Sequence, residues 1–175
     1  MKFEFKILYY ILEHIRNPVL DKIMQFLGII TEKGIIYILI LLFWILFTRR
    51  RKLSISLFTS FAIYFIVGKI LKQLFARYRP FQVEEGIELY KHLLLKEPSS
   101  YSFPSGHCMV VFTFATVLYY YNKFYGILAY IFGVIIMFSR LYLSVHYPTD
   151  VIFGALFGVI FGIAGIKISE KLIIK

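Results

Sequence analysis

The sequence predicts an all-α membrane protein: a polytopic transmembrane bundle of five to six helices with an interfacial amphipathic segment at its N-terminus. Three observations carry this reading. The chain is 59% hydrophobic with a mean hydropathy of +0.74, whereas soluble domains stay near roughly 45–50% apolar residues. Its apolar residues gather into stretches long enough to cross a bilayer. Its net charge of +10 falls between those stretches and forms no soluble basic face. That balance suits anionic lipid head groups and disfavours nucleic acid. At 175 residues, one domain is expected over 1–175, with interfacial helices at 1–30 and the transmembrane bundle at 31–175.

Residues 3–30 are apolar but interrupted by Glu13, His14, Arg16, Asn17, Pro18, Asp21 and Lys22. A charge at bilayer depth costs about 2.5–3.5 kcal/mol. The segment therefore reads as one or two amphipathic helices lying on the membrane, broken near Asn17-Pro18. A sixth, weakly hydrophobic span is the alternative. A signal peptide is not indicated, because Glu4 and Lys6 break the apolar run and no small-residue cleavage site follows.

Five spans follow, at 34–48, 53–74, 104–121, 124–143 and 150–168. The hydrocarbon core is about 30 Å thick and a helix rises about 1.5 Å per residue, so about 20 residues are wanted. The first stretch is short and would need snorkelling residues or a thinned bilayer. The basic run Arg49-Arg50-Arg51-Lys52 places its loop inside. Loops 75–103 and 144–149 then lie together at the outer face. Gly154, Gly158 and Gly162 recur every four residues, a spacing that permits close helix contact; packing within the chain is favoured over a dimer face. The single cysteine, Cys108, forms no internal disulfide and reads as helix packing.

Three polar clusters interrupt the outer ends of the spans. In KQLFARYRP, Lys72 and Arg79 are seven residues apart, a spacing that would place them on one helical face, with Pro80 ending the helix. In PSGH, Pro104 and Ser105 suit a helix start. The free N–H groups at such a start, around Ser105 and Gly106, attract anions. In SRLYLSVHYPTD, Arg140 ends a span, and His146 and Asp150 stand four apart. A carboxylate at that spacing can hold one ring nitrogen of His146, leaving the other free as nucleophile or base. His14 and His92 show no partner pattern. Each cluster alone has a plain explanation as a cap or a snorkelling end. Three basic residues, two histidines and a carboxylate converging on one face call for a joint one.

Phosphoryl transfer fits the set. Arg79 and Arg140 suit two-pronged contact with phosphate oxygens, and Lys72 acts as a point charge. Fixed positive groups stabilise charge on a transferring phosphoryl group. One histidine can attack phosphorus while the second protonates the leaving oxygen. Zinc fits poorly beside three fixed cations, and no H-E-x-x-H is present. No cofactor is expected.

The same residues resemble the type 2 phosphatidic acid phosphatase superfamily. Its three motifs stand complete and in order as Lys72…Arg79-Pro80, Pro104-Ser105-Gly106-His107 and Ser139-Arg140…His146…Asp150. The resemblance covers about residues 50–168. It implies a helical core in which His146 forms a phosphohistidine, Asp150 orients it and His107 acts as acid. Lys72, Arg79, Ser105, Gly106 and Arg140 would hold the phosphate. Soluble vanadium haloperoxidases share this site type, but the apolar spans argue against that branch.

A bacterial membrane lipid phosphatase is the expected activity. It would act at the outer face of the cytoplasmic membrane without metal or obligate protein partner. Candidate substrates are undecaprenyl diphosphate, phosphatidylglycerol phosphate, phosphatidic acid and lipid A 1-phosphate. The alternatives are a lipid phosphotransferase using the same site, or a non-catalytic lipid-phosphate-binding protein. Segment 87–96 is amphipathic and is a candidate cover for lipid access.

Overall fold

The computed structural model of the protein describes residues 2–31 and 51–173. The expected span at 34–48, and Arg49 and Arg50 of the basic run, lie outside the described residues. Among the described residues the secondary structure is helical, without strands. The elements are α1 (Lys2–Tyr10), α2 (Pro18–Ile30), α3 (Arg51–Phe75), α4 (Ile87–Lys91), α5 (Gly106–Tyr121), α6 (Lys123–Tyr142) and α7 (Pro148–Ile173). The stretches Arg51–Gln82, Lys123–Tyr142 and Pro148–Ile173 are long and apolar enough to cross a membrane, and Gly106–Tyr121 is a shorter apolar helix. The protein is a multi-pass membrane protein.

Helix α5 is the axis of the bundle. It is apolar all round, as a helix surrounded by others must be. Cys108, Met109, Val111, Ala115 and Val117 on it are almost wholly buried. Helices α3, α6 and α7 pack around it, turning residues such as Ile66, Ile70, Val134, Ile152 and Leu156 outwards. Outward apolar residues are what a lipid-facing surface requires.

Lipid tails are as apolar as leucine, so close fit and interhelical hydrogen bonds hold such helices together. The glycines of α7 supply the fit. A Cβ on Gly158 would stand 2.6 Å from the Met109 carbonyl oxygen, and one on Gly162 would stand 2.6 Å from Thr116 Cβ. A Cβ on Gly165 would collide with Ser60 of α3. The glycine repeat is thus a packing seam within the chain. Hydroxyls bridge the same seam: Thr113 donates to the Gly158 carbonyl at 3.1 Å and Thr59 to that of Gly165 at 2.8 Å. Gly158→Val is expected to cost about 1–3 kcal/mol, the usual scale of overpacking. It should lower the unfolding midpoint in detergent, whereas an unchanged midpoint would show that the seam yields freely.

The N-terminal segment breaks where expected. After α1 the chain makes a π-helical turn at Ile11–Ile15, extends at Arg16, and restarts with Pro18 at the first position of α2. Asn17 caps this start by accepting from the N–H groups of Val19 and Leu20 at 3.2 and 3.0 Å. Phe5, Leu8 and Ile11 of this segment are buried in a second apolar cluster with Tyr142, Leu143, Val145 and Tyr147. Helix α1 therefore packs directly against the loop between α6 and α7.

Two expected boundaries move. Helix α3 stops at Phe75 and does not run on to Arg79. Ala76 takes a left-handed φ of 42°, and Pro80 holds Arg79 extended at φ −77°, ψ 159°. Lys72 and Arg79 therefore do not share a helical face. The last span begins at Pro148, and Asp150 is its third residue. From there the Asp150 carboxylate reaches back to the N–H of Tyr147 at 2.9 Å, the return half of a capping box.

Candidate active site

The loop between α6 and α7 places the central histidine. Arg140 lies in the last turn of α6. Ser144 then takes a left-handed φ of 55°, and the N–H of Val145 returns to the Arg140 carbonyl at 3.2 Å, a helix-ending turn. The reversal puts His146 beside the end of α6. Across from it, the N–H of Ser105, which precedes α5, donates to the Asp150 carbonyl at 3.0 Å. The starts of α5 and α7 are thereby tied together.

A cavity of about 810 Å³ opens at this end of the bundle. Lys72, Arg79, Gly106, His107, Arg140 and His146 all line it. Asp150 and Ser105 lie behind its wall, both fully buried. The sequence-predicted residues thus gather at one place, six on the cavity surface and two supporting it. The remaining wall is partly apolar, with Ile29, Tyr64, Leu94 and Val110. Segment 87–96 forms a single turn of helix at α4, and its last residues, Leu94, Leu95 and Lys96, line the cavity. It is pinned there by Gln25, which donates to the Leu94 carbonyl at 2.9 Å, and by Arg16, which donates to that of His92 at 2.9 Å.

The cations are held in place before any ligand arrives. Arg79, 3% exposed, donates from Nε to the Ser100 carbonyl at 2.8 Å, from Nη1 to the Val145 carbonyl at 2.7 Å and from Nη2 to Ser100 Oγ at 3.2 Å. A guanidinium has five N–H donors, so two are left without a partner among the described residues. Lys72 Nζ donates to the Tyr101 carbonyl at 2.7 Å, and Arg140 Nη2 donates to Ser139 Oγ at 2.9 Å. His107 Nε2 is buried, with no hydrogen-bond partner among the described residues. Such an atom costs free energy unless something else meets it. Among the described residues, no three His, Cys, Asp or Glu side chains converge as metal ligands do. The wall chemistry suits an anion.

His146 Nδ1 stands 3.5 Å from Asp150 Oδ2 and 3.4 Å from Ser102 Oγ. Ser102 itself donates to Asp150 Oδ2 at 2.5 Å. With Nδ1 turned to this pair, Nε2 is the free nitrogen. Burial pushes the imidazole down from 6.5 to about 3, aided by Arg79 and Lys72 and opposed by Asp150. The ring is therefore neutral at pH 7, with its lone pair available.

That shift has a sign for stability. Between about pH 6.5 and 3 the unfolded histidine binds a proton and the folded one does not. Stability is complete above that window and declines as pH falls through it, by at most about 1.4 kcal/mol per pH unit from this group. The unfolding midpoint should fall on acidification, and less steeply in His146→Ala. Equal slopes in both proteins would contradict the burial of a neutral ring.

Three residues that the sequence motifs do not specify complete the surroundings. They are Ser102, Arg77 and Glu4. Arg77 Nη1 donates to Asp150 Oδ1 and to Thr149 Oγ1, both at 2.7 Å, and Nη2 donates to Glu4 Oε2 at 2.8 Å. The one available signal was Arg77 itself, a further charge at a membrane edge inside the Lys72–Arg79 motif. Nothing in the sequence links it to Glu4, which lies 73 positions away.

Comparison with known proteins gives the chain a family and a fold. Residues 53–174 match the PAP2 superfamily. An undecaprenyl-diphosphatase of Sulfolobus acidocaldarius is 40% identical over 115 residues, 65% of this chain and 54% of the relative. The chain thus spans about half the length of that relative. The crystal structure of Aquifex aeolicus LpxE superposes with a TM-score of 0.75 at 29% identity, covering 91% of this chain and 93% of that one. The first transmembrane PAP2 type phosphatidylglycerolphosphate phosphatase from Bacillus subtilis shares the fold, with a TM-score of 0.78 at 24% identity over 97% of this chain and 86% of that one.

Proposed function

The chain belongs to the PAP2 superfamily, and from that premise we propose that it is a metal-independent lipid phosphatase working through a phosphohistidine at His146. The observation that carries this reading is the pairing of a neutral, buried His146, backed by Asp150, with a cavity walled by Lys72, Arg79 and Arg140. A neutral imidazole facing fixed cations is a nucleophile waiting for an anionic electrophile.

The chemistry follows from the placement. The phosphoryl group sits among Lys72, Arg79 and Arg140, with the backbone donors at Gly106 beside it. His146 Nε2 attacks phosphorus and forms the P–N bond as the P–O bond to the lipid breaks. The departing oxygen takes its electron pair and a proton from His107. The negative charge of the bound phosphate favours the protonated form of His107 beforehand. Asp150 stabilises the positive charge that develops on His146. Water then attacks the phosphohistidine, giving a proton to His107, and the P–N electron pair returns to Nε2.

The substrate is a lipid phosphate or diphosphate. Its head group matches the cations, and its chain matches the apolar wall of Ile29, Tyr64, Leu94 and Val110. Undecaprenyl diphosphate leads the candidates, since a relative 40% identical is named for acting on it. The site faces the outside of the cytoplasmic membrane, in keeping with the basic run 49–52. Purified protein should release phosphate from one or more of undecaprenyl diphosphate, phosphatidylglycerol phosphate, phosphatidic acid and lipid A 1-phosphate, with EDTA present throughout. Loss of turnover on chelation, restored by zinc, would overturn the metal-free mechanism. Mass spectrometry of the products separates transfer to water from transfer to an acceptor alcohol.

A further inference from the structure

We propose that Arg77 and Glu4 are positioning residues for the nucleophile, linking the N-terminal helix to the Asp150–His146 pair; this rests on the phosphohistidine reading above. The geometry is a chain of charges. The two oxygens of Asp150 have separate tasks. Oδ2 meets Ser102 Oγ, the Tyr147 N–H and His146 Nδ1. Oδ1 is taken by Arg77 at 2.7 Å. Rotation of the carboxylate would swing Oδ2 away from His146, and Arg77 blocks it.

Arg77 is itself fixed from three sides. Glu4 Oε2 and Thr149 Oγ1 accept from its guanidinium, and its Cζ lies 3.8 Å from the centroid of the Tyr147 ring. Glu4 is 9% exposed, and its Oε1 accepts from Thr149 Oγ1 at 2.6 Å. Phe5, the next residue, meets the same Tyr147 ring edge-on at 5.6 Å between centroids. Helix α1 thus grips Tyr147, which follows the nucleophile, and Thr149, which precedes its orienting group.

Charge balance gives Glu4 a task beyond anchoring. Asp150 and Arg77 alone would form a neutral pair, and His146 would lose most of the field that supports its positive charge during P–N bond formation. Glu4 adds a second negative charge to the far side of Arg77. The set of Glu4, Arg77 and Asp150 then carries one net negative charge behind the imidazole.

The test compares kcat and KM for the purified full chain on the lipid phosphate it turns over. Partners that orient metal ligands are worth about 10- to 100-fold; on the same scale Arg77→Ala should lower kcat by that factor with KM held within about twofold. Glu4→Gln should lower kcat by about tenfold, and the double variant should fall no further than Arg77→Ala, because coupled residues do not add. Millimolar guanidinium should restore part of the kcat of Arg77→Ala and none of that of His146→Ala.

Leu8→Ala, which loosens α1 without touching the ion pairs, should lower the unfolding midpoint and lose less kcat than Glu4→Gln. An undiminished kcat in Arg77→Ala would overturn the inference. So would additive losses without guanidinium rescue, or a Leu8→Ala defect equal to that of Glu4→Gln. No turnover by the wild-type chain on any of the four lipids would overturn the proposed activity itself, and this inference with it.

Discussion

Replacement of His146 by alanine is expected to abolish phosphate release, with kcat falling on the order of 10⁴-fold or more, the scale on which loss of a covalent nucleophile is felt. The size follows from the absence of a substitute. The other histidine on the cavity wall, His107, lies at the start of α5 with no carboxylate holding it among the described contacts. Cys108 is buried against α7. The cations Lys72, Arg79 and Arg140 remain in the variant, so a lipid phosphate should still bind. KM should therefore change far less than kcat. Because His146 is buried, His146→Gln serves as a second variant with a fuller side chain. Both must keep the wild-type unfolding midpoint to within the loss that a small void explains. Turnover retained in either folded variant would remove His146 from the chemistry.

Replacement of His107 is expected to act through the leaving group. A lipid alkoxide leaves poorly without a proton, whereas a phosphate leaving from a diphosphate needs little help. His107→Ala should therefore slow phosphoenzyme formation by about 10²- to 10⁴-fold, the range of general acid catalysis, for a lipid phosphomonoester. The loss should be distinctly smaller for a lipid diphosphate. The buried, unpartnered Nε2 of His107 on the cavity wall fits this role. Equal losses on the two substrates would show that His107 only shapes the pocket.

The sequence made the reacting groups legible because each is a polar residue where a membrane chain should have none. Lys72, Arg79, Arg140, His107, His146 and Asp150 interrupt or end apolar runs, so their cost in the bilayer advertises them. The supporting layer was not legible, for a physical reason. Glu4, Arg77 and Ser102 act through contacts between segments 48 to 145 positions apart, and no local spacing encodes such pairs. Glu4 reads in the sequence only as a break in an apolar run that argues against a signal peptide, and Glu13, Arg16, Asp21 and Lys22 as charges that keep the segment on the membrane surface. The structure gives Glu4 a buried place, where Arg77 neutralises it.

The expected span at 53–74 ends close to Phe75, but the helical face expected to join Lys72 and Arg79 does not form. A seven-residue spacing suggests one helical face, but Arg77 and Arg79 turn to separate partners, Asp150 on one side and the carbonyls of Ser100 and Val145 on the other. An extended chain after Ala76 allows that.

The central claim is a covalent bond between His146 and phosphorus, and trapping that bond tests it most directly. The protein is mixed with a lipid phosphate carrying radiolabelled phosphorus, quenched in alkali during the first turnover, where phosphohistidine survives, and digested for mass spectrometry. The label should lie on the peptide containing His146, on its ring nitrogen, and should vanish on a chase with unlabelled substrate. Label on any other residue, chased at the rate of turnover, would contradict the account.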